Sequence, residues 1–183
     1  MNSLLSNSIS VGQVGEYLVA SHLCRMGLVA TTFTRNMPGF DILALNSNIQ
    51  LKIQVKTVRN KGDWQLNASD FLIFDKDLFE KGTQKIVGIN NIEKCDFFVF
   101  VKLDKDSDLQ NKSVEELRDR FYIVPTKKLK IIIMEIYNNF LIRNDGVRPS
   151  NQKSTHTAVK KEVLENFENN WTELLKFRIE NNT

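Results

Sequence analysis

Asp41, Gln54, Val55 and Lys56 offer, within one short stretch of the chain, a carboxylate, a side-chain amide, a backbone carbonyl and an ammonium group. Over residues 49–58 the side chains alternate, with Ile49, Leu51, Ile53 and Val55 apolar and Gln50, Lys52, Gln54 and Lys56 polar between them. A two-residue period is that of a strand, which shows the two sets to opposite faces. Most such stripes are only the solvated face of a half-buried strand, so the strand by itself carries no chemistry. The weight comes from Pro38-Gly39-Phe40-Asp41 on the preceding run, which a hairpin would bring beside Gln54 and Lys56. Hydrolysis of a phosphodiester needs a hard cation such as Mg²⁺, held by a few oxygens, with positions open for the phosphate and the attacking water. Asp41 would supply the anionic oxygen, and the Gln54 side-chain carbonyl and Val55 backbone carbonyl two neutral ones. Lys56 would stabilise charge on the phosphate or help to deprotonate the water.

The elements that must position this set read as follows. Val11, Val14, Leu18, Val19, Leu23 and Met26 recur at three- and four-residue steps, which predicts an amphipathic helix over residues 10–27, opened by Ser10 and ended by Gly27. Glu16, in its first turns, would add a fourth side chain to those of Asp41, Gln54 and Lys56, although an acid near a helix N-terminus is also favoured there by the dipole alone. Three strands follow, over residues 28–34, 40–45 and 49–58, with residues 64–66 extending the same sheet. Residues 75–85 read as weakly helical, ending in a loop at Gly88, Asn90 and Asn91. The continuous apolar run over residues 95–103 predicts the central strand, covered on both faces. Ser113 and Glu116 would cap a very short helix, Phe121 to Val124 a strand, and Pro125-Thr126 opens a helix to about Leu141. The composition divides the chain into a domain over residues 1–143, a linker or loop over 144–156 and a C-terminal helix over 157–183. Val159, Val163, Phe167, Trp171 and Leu175, at four-residue steps, give that helix an apolar stripe that must pack on the core or on a second copy, allowing a homodimer.

Gly15-Glu16 on an opening helix, Pro38-Gly39-Phe40-Asp41 on a strand and Ile53-Gln54-Val55-Lys56-Thr57 on the next together resemble the PD-(D/E)XK, or restriction-endonuclease-like, nuclease superfamily. The similarity is greatest to the branch that writes its last motif as QxK. It covers residues 10 to about 60 by motif and, more loosely, the strands from Asp96 to Val124 by order. The resemblance implies an α/β fold with an αβββαβ core, a central mixed sheet flanked by helices, and here an added C-terminal helix. It also implies cleavage of DNA, less often RNA, dependent on Mg²⁺ with Mn²⁺ as a substitute. Glu16, Asp41, Gln54 and Lys56 take the catalytic roles, with Asp41, Gln54, Val55 and Glu16 at the metal. Gln54 stands where the superfamily more usually has an acid, which removes a negative charge from the site. A catalytically inactive nucleic-acid-binding module of the same fold is therefore one alternative, and a protein-interaction domain using the C-terminal helix another.

Composition fits these readings without selecting among them. Lys+Arg 25 against Asp+Glu 22 leaves a net charge of +3 in 183 residues, so neither a polybasic nor a polyacidic tail is present, and 42% hydrophobic content is that of a chain with a core. Cys24 and Cys95 are too few for a disulfide framework, and with His22 and His156 they leave little for a structural zinc site. With no signal-like start and no long apolar run, the expectation is a cytoplasmic protein that does not enter the membrane. Lys52, Arg59, Lys61 and Trp64 are the expected nucleic-acid contacts around the site, against the alternative of a solvated edge and a buried Trp64. His156 stands alone after the linker and His22 at a helix boundary, and Asp96 is left outside the site.

Overall fold

The structure, a computed structural model, describes residues 8–33, 39–59, 62–104 and 118–176, with side chains from residue 11 onward. Helix α1 (Ser8–Arg25) leads into an antiparallel meander of β1 (Val29–Thr32), β2 (Ile42–Leu45) and β3 (Gln50–Arg59). Asn46 makes the β2–β3 turn, its Oδ1 accepting from the N–H groups of Asn48 and Ile49 at 2.9 and 3.0 Å. This is the local bonding that suits asparagine to turns. Strand β3 then pairs in parallel with β7 (Phe97–Leu103), which pairs antiparallel with β8 (Arg120–Pro125). The resulting five-stranded order β1-β2-β3-β7-β8 is the expected central mixed sheet, but its middle strand is β3 and not, as the apolar run predicts, β7, because only β8 lies beyond β7; β7 is interior and covered on both faces.

The alternation of β3 splits the core in two. Leu51, Ile53 and Val55 join Val19 and Leu23 of α1 on one face, and Phe98, Phe100, Tyr122 and Val124 meet α3 (Thr126–Arg143) on the other. Residues of β7 alternate between the two cores, Val99 and Val101 to the α1 side and Phe98 and Phe100 to the α3 side. That is why its sequence is apolar without interruption.

Four further expectations are corrected. The connection from β3 to β7 carries no long helix: it holds β4 (Trp64–Asn67), a 3-10 turn (Ala68–Asp70), β5 (Leu72–Phe74), the five-residue α2 (Lys76–Glu80) and β6 (Ile86–Ile89). The long helix, α3, follows β8 instead. Residues 64–66 do not extend the central sheet, because β2 and β7 already occupy both edges of β3; β4 pairs instead with β9 (His156–Val159) in a separate two-stranded sheet. Gly88 lies within β6, paired to β5, where a loop is the sequence reading.

The fourth correction is the C-terminal helix over 157–183. Its described part is β9, a 3-10 stretch (Lys161–Phe167) and the short α4 (Thr172–Lys176). The physical reason is the path. Leu164 packs on the α3 side of the sheet, whereas Trp171 and Leu174 pack on the α1 side, so the chain wraps round the β8 edge. It does so through a bridge of Glu168 to Tyr122, a bond from Asn169 N–H to the Phe121 carbonyl at 2.8 Å, and positive φ (53°) at Asn169. A straight helix cannot touch both faces of a sheet. Two members of the apolar stripe, Val163 and Leu175, are consequently left 42% exposed. The loop over residues 144–155 is tied to the α3 side, Gly146 accepting from Gln84 N–H at 2.7 Å and Ser154 from the Gln84 amide at 3.0 Å. The Ser113–Glu116 helix lies outside the described residues. Among the described residues no helix is long and apolar enough to cross a membrane.

Candidate active site

Asp41 sits where β2 and β3 part. Its N–H still donates to the Ile53 carbonyl at 2.8 Å, the last backbone bond beyond the Ile42–Ile53 pair. Its carboxylate then takes the place of a strand, Oδ2 accepting from the Val55 N–H at 2.7 Å and from the Gln54 side-chain amide. The N–H and C=O of one strand residue point to the same side, so the Val55 carbonyl opens toward this gap as well. Burial pushes the Asp41 carboxyl above its ordinary value, opposed by the Val55 N–H, the Lys56 charge and the Gln54 amide.

Glu16 approaches from the other face. Helix α1 packs on the Val55 and Thr57 side of β3 so closely that a Cβ on Gly15 would lie 1.8 Å from Thr57 Oγ1. Only glycine permits that approach, and it sets the next residue, Glu16, within electrostatic range of Asp41. Partial burial raises the Glu16 carboxyl, and the Asp41 charge raises it further. Two acids held together and desolvated resist joint ionisation unless a cation or a proton lies between them.

Gln54 and Lys56 share the opposite face of β3 and line a cavity there. Asp41, in the plane of the sheet, is thus the hub, acting electrostatically on Glu16 on one side and acted on by Lys56 on the other. The donor set is all oxygen: two carboxylates, the Gln54 carbonyl once its amide is turned, and the Val55 carbonyl. It fits Mg²⁺ or Mn²⁺, which bind one or two carboxylates and keep several waters, better than zinc. Among the described residues no group of three or more His, Cys, Asp or Glu could hold a metal ion.

The flanking residues divide. Lys52 is exposed on the Lys56 face, with its ammonium 5.7 Å from the centre of the Phe40 ring. Arg59 is half-buried at the end of β3, and Pro38 and Lys61 lie outside the described residues. Trp64 is corrected: it is 1% exposed, donates Nε1–H to the Val101 carbonyl at 3.1 Å and packs edge-on against Phe100 and Tyr122. It is a core residue and shows no ring to a ligand.

Residues that sequence reasoning passed over also meet here. Asp96 caps the N-terminal end of β7, Oδ2 accepting from the Lys52 N–H at 2.7 Å while its own N–H donates to the Lys52 carbonyl at 2.8 Å. It is a sheet-capping group, raised by burial. Gln65, Asn67 and His156 reach the cavity from the β4–β9 ribbon, where Asn67 and His156 are register partners. The alternation of Gln65 and Asn67 with buried Trp64 and Leu66 is legible in the sequence, but the pairing that brings in His156 is not. His22, at the far end of α1, stacks on Trp171 at 4.8 Å and meets Phe121 edge-on, holding the C-terminal segment.

No protein-family model matches this chain, and no curated protein does. Among solved structures the chain is similar to that of a bacterial homing endonuclease, I-Ssp6803I, at 13% identity and a TM-score of 0.47, over 93% of this chain and 95% of that one.

Proposed function

We propose that the chain is a metal-dependent nuclease of the PD-(D/E)XK superfamily, QxK branch, hydrolysing phosphodiester bonds in nucleic acid, with DNA favoured over RNA. The observation that carries this reading is the Asp41 carboxylate at the β2–β3 split, held by the Val55 N–H and Gln54, with Lys56 on the Gln54 face and Glu16 across the sheet. Asp41, Gln54, the Val55 carbonyl and Glu16 would hold the cation. Bound there, Mg²⁺ or Mn²⁺ supplies Lewis-acid polarisation of the phosphate and a nucleophile at neutral pH. Lys56 then offsets the charge that grows on the phosphate oxygens, and the buried setting strengthens that attraction. The Val55 N–H, which does not have to move when the Gln54 amide turns toward a cation, holds Asp41 in one orientation.

One observation favours a second reading, a nucleic-acid-binding module without catalysis. Gln54 presents its amide to Asp41 as a donor, and the site has one acid fewer than the usual motif. The interaction-domain and homodimer readings rested on a continuous C-terminal helix and lose that support with it.

The test is metal titration by calorimetry together with cleavage of linear, supercoiled, branched and single-stranded substrates, for wild type, Asp41→Ala and Lys56→Ala. A nuclease loses the metal site in Asp41→Ala and loses cleavage in both variants. A folded wild type that binds no Mg²⁺ or Mn²⁺ at this site and cuts nothing leaves the binding module.

A further inference from the structure

Beside Gln54 and Lys56, on the α3 face of the sheet, lies a half-open cavity of about 250 Å³. Phe71 and Phe98 contribute apolar lining, and Gln65, Asn67 and His156 of the β4–β9 ribbon contribute polar lining. We propose that this cavity seats one unstacked nucleotide next to the phosphate under attack, so that the preferred substrate has a single-stranded or disrupted position there. The inference rests on the nuclease reading of Asp41, Gln54 and Lys56.

Size and shape come first. A volume just below the ~300 Å³ at which small-ligand pockets begin leaves room for a single nucleotide. A stacked base pair cannot enter a concavity: intact duplex is read by elements that protrude into its grooves. Continuity comes next. Gln54 and Lys56 belong both to the candidate active site and to the cavity wall, so a phosphate against Lys56 places its neighbouring nucleotide at the mouth.

The chemistry of the walls favours a base over a second phosphate. The other cations are already matched by acids, Lys130 with Glu93 at 3.3 Å and Lys94 with Asp70 at 3.8 Å. The groups on the ribbon side are two side-chain amides and an imidazole. Amides carry donor and acceptor together, the pattern on the edge of an unpaired base, and aromatic walls suit its faces. Among the described residues these side chains are available for this: Asn67 makes no side-chain capping bond to the 3-10 turn, and Gln65 makes an exposed bond to the Asp63 carbonyl, at 3.2 Å.

The test uses the full chain and three fluorescent DNA probes: a continuous duplex, the same duplex with a one-nucleotide bulge, and a single strand. Anisotropy without added metal reads binding, and Mg²⁺ with the same probes reads cleavage. The variants are Gln65→Ala/Asn67→Ala and, separately, His156→Ala; all three side chains are exposed, and circular dichroism checks the fold. Wild type should favour the bulged or single-stranded probe by at least about tenfold, the lower end of the scale set by avoiding the unstacking of a paired base. The double variant should bind all three probes nearly equally. Equal wild-type affinities, a preference kept in both variants, or no binding to any probe would each overturn the proposal. If the variant-sensitive preference stands but nothing is cut, the nuclease reading fails and the pocket remains. If continuous duplex is cut as readily as the bulged probe and no preference exists, the pocket fails and the nuclease remains.

Discussion

Gly15→Ala should separate α1 from β3 and, with it, Glu16 from Asp41. An ideal Cβ at position 15 lies 1.8 Å from Thr57 Oγ1, 2.9 Å from its Cβ and 3.0 Å from its Cγ2. Cβ contacts in real structures essentially never fall below 3.0 Å, so helix and strand must part by roughly 1.2 Å. In a helix interior the substitution by itself stabilises by about 1 kcal/mol. Overpacking of this kind costs about 1–3 kcal/mol, and the upper part of that range applies because both partners are anchored in packed elements. The expected net loss is about 1–2 kcal/mol. Among the described residues the buried Thr57 hydroxyl has no hydrogen-bond partner, so Thr57→Ala alone should be close to neutral: a methyl worth ~0.8 kcal/mol is lost, while an unsatisfied buried group is removed. In the Thr57→Ala background most of the Gly15→Ala penalty should vanish, leaving the 2.9 Å contact to Thr57 Cβ and a coupling of about 1 kcal/mol or more. Urea unfolding followed by tryptophan fluorescence measures all four proteins, and Mg²⁺ titration reads the displacement of Glu16. The reasoning is refuted if Gly15→Ala is as stable as wild type, or if its penalty is the same with alanine at position 57.

Three further outcomes follow from the same geometry. Asp41 and Glu16 are both raised by burial, so without metal the folded state holds their protons more tightly than the unfolded one, and stability present at acid pH is lost as pH rises through their folded values. Thermal unfolding in chelator over about pH 4 to 7 should therefore show a declining melting temperature that Asp41→Asn flattens and that Mg²⁺ reverses at the neutral end; a wild-type profile that instead rises across this range, or one unaltered in Asp41→Asn, contradicts the burial argument. Trp64→Ala should destabilise by about 3–5 kcal/mol in denaturant, as expected of a buried indole, and a folded variant with lower affinity for nucleic acid but unchanged stability would put the ring back at the surface. Cys95 is buried and its thiol is pushed up to about 11, whereas Cys24 is exposed. Alkylation of native protein near pH 8, followed by peptide mass spectrometry, should label Cys24 and spare Cys95 until denaturant is added.

How much of this was legible in the order of residues differs from element to element. Local patterns held where one partner surface satisfied them. The three- and four-residue recurrence in α1, the alternation in β3 and the uninterrupted apolar run of β7 each describe a burial pattern set by the element's own period. Asp41, Gln54 and Lys56 meet because a tight turn at Asn46 joins two adjacent strands, and a short hairpin leaves few registers to choose among. The four-residue stripe from Val159 to Leu175 misled because periodicity reports how a segment could bury its apolar side chains, not whether a strand edge elsewhere competes for its backbone. The β4 edge does compete, through the pairs Trp64–Val159 and Leu66–Thr157, and the sheet then needs cover on both faces from one short segment. Trp64, read as a surface aromatic, was drawn inside by the same pairing.

Residue order alone predicts the secondary structure of α1 through β3 and the apolar character of β3 and β7, and residue type alone nominates Asp41, Gln54 and Lys56 as site candidates. The placing of Asp41 in the sheet plane, with Glu16 on one face and Lys56 on the other, and the gathering of Gln65, Asn67 and His156 beside them, came from the fold. The reason is range: local order follows from side-chain period and turn chemistry within a few residues, whereas these meetings depend on backbone edges and apolar faces contributed by segments far apart in the chain.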